Sequence, residues 1–119
     1  MDEINRNRLE EFRQLRKEVR HSEEYLIVGI DIAKDRHYAF GTATGKTLLR
    51  RLVFSNDHEG FRKLLDQAEA LRVQHGLKKV VYGMEPTANY HKPLGEYLIS
   101  LGRTVVLVSG VIEFWSMLH

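Results

Sequence analysis

The stretch YLIVGIDIAKD, residues 25–35, decides how the rest of the chain is read. Tyr25 to Ile32 is apolar on both of its alternating faces, the pattern of a strand in the middle of a sheet. Asp31 interrupts it. A carboxylate carried into an apolar interior is costly unless it is paired, hydrogen-bonded or bound to a metal. The strand therefore raises two questions together: what surrounds it, and what its acid does.

Working outward, residues 36–43 (Arg36 to Ala43) read as a second strand, Thr44-Gly45 as a turn and Lys46 to Phe54 as a third strand. Connections this short join antiparallel neighbours, so the first three strands form a meander. Asn56 and Glu59 have the spacing of a helix-capping box. Phe61, Leu64, Leu65, Ala68 and Leu71 mark the buried face of the helix that follows, and Gly76 its stop. Lys79 to Met84 is a fourth apolar strand, ended by Glu85-Pro86. A second helix is expected from about Tyr90 to Leu101, since Pro93 fits only in a first turn and Leu94, Tyr97, Leu98 and Leu101 form one stripe. Gly102 ends it, and Thr104 to Val108 is a fifth strand. Three antiparallel strands followed by two right-handed crossovers predict an α/β fold with a mixed five-stranded sheet.

The chain of 119 residues is long enough for one such domain. No apolar run could span a membrane, and the charged start Met-Asp-Glu is unlike a secretory signal. The absence of cysteine excludes a disulfide framework and a thiolate zinc site, which fits a cytoplasmic protein. The six histidines never fall at i, i+4 spacing and read as surface or structural residues rather than metal ligands. Residues 1–24 carry six Lys/Arg against seven Asp/Glu, whereas residues 25–119 carry twelve against nine. That mildly basic body permits nucleic-acid binding without requiring it.

Residues 2–22 lack Gly and Pro and read as a charged helix. Its narrow stripe of Ile4, Leu9, Phe12, Leu15 and Val19 either packs on the domain or meets a second copy in a homodimer. Residues 110–119 break the pattern and hold the single Trp.

Two acids, Asp31 and Glu85, each close an apolar strand. If the first and fourth strands are parallel neighbours about 4.8 Å apart, both acids lie at the carboxyl edge of the sheet, where open α/β sheets bind ligands. Two carboxylates there repel unless a cation lies between them, and Mg²⁺ suits such a pair. Singly, each has a plainer use: Asp31 in a turn or paired with Lys34 or Arg36, and Glu85 as a cap of the next helix. Gly29 and Gly83 stand two residues before the two acids, inside strands where Gly weakens packing, and imply close approach of a backbone or ligand. GTATGKT, residues 41–47, imitates a phosphate-binding loop but has three residues where that loop needs four, and it joins two strands.

VGIDIAKDRHYAF, followed some fifty residues later by YGMEPTANYHKPLGEYLISLGRTVVLVS, resembles the N-terminal part of the IS110-type DEDD transposases, relatives of the Piv-type invertases. The resemblance covers residues 25–109. It implies a RuvC-like domain of ribonuclease H-like fold, with residues 1–24 a charged N-terminal helix and 110–119 a divergent tail. It implies that Asp31 and Glu85 are the first two of four metal-binding acids, that Lys34 is the lysine following the first acid, and that Thr87 belongs to a Glu-(Ala/Pro)-Thr-Gly motif whose Gly is Ala88 here. The implied cofactor is Mg²⁺ or Mn²⁺. The implied partners are DNA and, in the intact family, a guide RNA, with no membrane. A basic segment, the third and fourth acids and a domain with a nucleophilic serine are not found here, so the chain resembles a truncated transposase, inactive alone. Two other classes stay open. One is a non-catalytic dimerisation or regulatory module. The other is a sugar-kinase or actin-like ATPase half-domain, disfavoured because no Gly-rich loop follows Asp31.

Overall fold

The computed structural model describes residues 24–107. The readings made for residues 2–22 and for the tail from 110 lie outside them. The elements run β1 (Tyr25–Asp31), β2 (Arg36–Ala43), β3 (Lys46–Ser55), α1 (His58–Gln74), β4 (Lys79–Met84), α2 (Lys92–Ser100) and β5 (Thr104–Leu107). They build one five-stranded sheet of order β3-β2-β1-β4-β5. β1 pairs antiparallel with β2 and β2 antiparallel with β3, while β4 lies parallel to β1 and β5 parallel to β4. This is the mixed sheet the connection lengths predict and the ribonuclease H-like arrangement the resemblance implies.

β1 is central, and its Leu26, Val28 and Ile30 are fully buried. They share a core with Val80, Tyr82 and Met84 of β4, Phe61, Leu64 and Ala68 of α1, and Leu94 and Leu98 of α2. Both helices therefore cover the same face of the sheet, as two crossovers of the same hand must. Tyr97 joins them across the top, its ring 5.6 Å from that of Phe61 and 5.4 Å from that of His58.

The turn at Thr44-Gly45 has positive φ at both residues (51° and 76°), the tight hairpin expected, and it confirms that residues 41–47 are not a phosphate loop. Two details differ from the sequence reading. α1 is capped by Asp57 rather than Asn56: the Asp57 side chain accepts from the Gly60 N–H at 2.8 Å and from the Ser55 hydroxyl at 2.7 Å. Those two bonds hold the Asp57 carboxyl below its ordinary pKa. The register of the cap is fixed by Gly60, where a Cβ would come within 1.9 Å of the Ser55 carbonyl oxygen. Finally, α2 spans Lys92–Ser100, and Leu101, expected on its buried stripe, is 45% exposed because the chain already turns there toward Gly102 at φ 74°.

Candidate metal centre

The two acids are brought together by strand register. β1 and β4 pair from Tyr25↔Lys79 to Ile30↔Met84, with Gly29 opposite Gly83. Asp31 and Glu85 come one residue past that last rung, on strands whose axes lie about 4.8 Å apart. Because side chains alternate, both acids belong to the face of Gly29 and Gly83, away from the core face of Ile30 and Met84. Two bare glycines side by side thus lead up to two carboxylates.

The premise of a buried acid is corrected by the structure. Asp31 is exposed and Glu85 half-buried, so neither carries the cost of a charge in the core. Neither Lys34 nor Arg36 pairs with Asp31, and among the described residues no cation stands at ion-pair distance from either acid. Two like charges are left at one strand edge. That donor set suits Mg²⁺ or Mn²⁺, which takes one or two carboxylates and fills its shell with water and phosphate oxygens. Among the described residues no cluster of three or more His, Asp or Glu is present.

The loops that follow the two acids are tied together by two residues that the sequence reading did not assign to the site. His37 is fully buried, and its Nδ1 accepts from the Ala33 N–H at 3.1 Å. The proton of the neutral ring is then on Nε2. Burial pushes the His37 pKa down from 6.5, with the Asn56 side chain and then the Asp31 carboxylate pulling the other way. Asn56 donates its side-chain N–H to the carbonyls of Lys34 (3.0 Å) and Tyr90 (3.4 Å), and its backbone N–H to that of Asp35 (2.9 Å). One residue at the end of β3 therefore binds the loop after Asp31 to the loop after Glu85. The alternation of β2, which buries His37, Ala39, Gly41 and Ala43, was the available signal for His37. Asn56 gave none, because its partners lie 22 and 34 residues away.

The loop after Glu85 is wound tightly. Tyr90 N–H donates to the Thr87 carbonyl at 2.9 Å, closing a turn over Ala88 and Asn89 at φ 46° and 66°. Ala88 stands where the family motif has Gly, in the left-handed region that Gly tolerates best.

No curated protein matches the chain. Among solved structures, a Ppx/GppA phosphatase of Aquifex aeolicus is similar at 10% identity and TM-score 0.42, over 71% of this chain and 36% of that one. An exopolyphosphatase from Cytophaga hutchinsonii is similar at 15% identity and TM-score 0.39, over 71% and 34%. The chain spans about a third of the length of these proteins. A family model described as Transposase, of the DEDD IS110 type, matches residues 28–113, a span that includes both acids and the loops behind them. The chain belongs to the IS110-type DEDD transposase family.

Proposed function

We propose that residues 25–109 form the metal-carboxylate portion of a DNA transposition domain, with Asp31 and Glu85 as ligands of a divalent cation and DNA as the partner. The observation that carries this reading is the β1–β4 register, which sets the two acids beside each other at the carboxyl edge with no neutralising side chain among the described residues. A bound cation supplies charge stabilisation at a phosphoryl oxygen. The chain supplies the rest. Asp31 and Glu85 hold the ion. Gly29 and Gly83, both buried, pair on the rung just behind the acids and fix the register that sets them side by side. Asn56 and His37 fix the two acid-bearing loops relative to each other.

Two acids of a four-acid set make a weak site, and the chain alone is expected to bind metal without cutting DNA. Mn²⁺-induced broadening of amide resonances tests the site. It should centre on Asp31 and Glu85, and Asp31→Asn and Glu85→Gln should each weaken it at least tenfold; broadening that persists in Asp31→Asn sinks the assignment. Plasmid nicking in Mg²⁺ tests the activity. Cleavage abolished by Asp31→Asn would show the chain to be a complete nuclease, contrary to this proposal.

A further inference from the structure

The opposite edge of the sheet carries a second polar site, independent of the acids. There the last turns of α1, the starts of β4 and β5 and the turn before β5 enclose a cleft of about 290 Å³ lined by Glu69, Arg72, Lys78, Lys79, Arg103 and Thr104. Four cations face one acid. Glu69 is a bracket between two guanidinium groups: its Oε2 accepts from Arg72 Nε at 2.8 Å, and its Oε1 is 3.9 Å from Arg103 Nε. Arg72 also donates from Nη1 to the Leu77 carbonyl at 3.2 Å, so it forms a fixed wall. Lys79 lies over the Tyr25 ring, its Nζ 5.2 Å from the ring centre.

Two buried groups at this end have no hydrogen-bond partner among the described residues: Arg103 Nε and the Tyr82 hydroxyl. Tyr82 is fully buried on β4, three residues beyond Lys79. Burial, and after it the Glu69 carboxylate, push the pKa of its hydroxyl up. Buried polar groups in folded proteins are nearly always satisfied, so the orphaned Nε of Arg103, which lines the cleft, points to an acceptor within it. The acceptor must be anionic, since the cations outnumber Glu69, and small, since the cleft is. Charge-assisted bonds from guanidinium and ammonium to oxyanions are among the strongest available.

We propose that this cleft binds a phosphate group, with Arg103, Lys78 and Lys79 as charged donors. The group comes either from a nucleic-acid backbone or from free phosphate. Six residues of strand separate Lys79 from Glu85, so the cleft lies about 20 Å from the acids. A nucleic acid reaching both ends would run along the strands rather than across them.

The test is an amide-shift titration of the full chain at constant ionic strength, first with inorganic phosphate, then with a short random-sequence DNA duplex. Saturable shifts at Lys79, Arg103 and Thr104 are expected, with Arg103→Gln weakening binding about tenfold or more. Lys78→Gln, at an exposed residue, gives a second variant whose fold is safe, and it should weaken binding severalfold. Tighter saturation by the duplex than by phosphate, lost in both variants, assigns the backbone as the source; saturation by inorganic phosphate alone assigns the free ion. Shifts absent from these residues in both arms, or unchanged affinity in both variants, overturn the proposal. Asp31→Asn should leave this binding intact, which separates its failure from failure of the metal site.

Discussion

Ala88 shows what a single side chain costs. Its backbone lies at φ 46°, where a Cβ crowds the following carbonyl, a strain of about 1 kcal/mol relative to Gly. Ala88→Gly should therefore stabilise the chain by about 0.5–1 kcal/mol in urea unfolding, despite the greater freedom Gly brings to the unfolded state. His37 makes a different kind of prediction. Its pKa is lowered in the fold from 6.5, so below that value the unfolded chain binds a proton that the folded chain resists. Its contribution is fully present above pH 6.5 and is lost as pH falls through the lowered folded value. Stability of the wild type, measured against that of His37→Phe, should rise with pH over this window, by at most about 1.4 kcal/mol per unit, and level off above it. A difference that is flat from pH 5 to 8 would show that folding does not shift the His37 pKa.

At the scale of elements, the junction of β3 and α1 is tightly closed. Ser55, Asp57 and Gly60 close on one another there, and Gly60→Ala forces a Cβ into the Ser55 carbonyl. We expect a loss of about 3 kcal/mol or more, seen as a large drop in urea midpoint with metal binding weakened only through unfolding. Sequence patterns located β2, β4 and most of β3 because alternation and turn residues are local signals. They missed the cap by one residue because Asn56 and Asp57 are both good N-caps, and only the approach of Gly60 to Ser55 chooses between them. Asn56 was freed by that choice to bridge the two loops.

For the whole molecule, sheet order was legible because two crossovers of fixed hand leave few alternatives, and that order placed Asp31 beside Glu85. The exposure of Asp31 was not legible, since a strand's apolar run does not say where the sheet's edge falls. An exposed pair of acids has a thermodynamic signature. Asp31→Asn should leave the metal-free melting temperature unchanged or slightly higher, because like charges are separated. The wild type should gain stability with Mn²⁺ as RT ln(1 + [M]/Kd), a gain the variant lacks. Calorimetric melting with and without Mn²⁺ reads both effects.

The rung that matches Gly29 to Gly83 also acts as a length gauge. The turn residues between β1 and β2, or between β4 and α2, can be lengthened without changing which two positions end at the lip of the sheet. A single residue inserted within β4 cannot be absorbed in this way. It would rotate every later side chain of that strand to the other face and send Glu85 among the helices while Asp31 stayed outside. Insertions and deletions in this chain should therefore be tolerated in its loops and excluded from a window of six residues, Lys79–Met84, although none of the six is itself a proposed metal ligand.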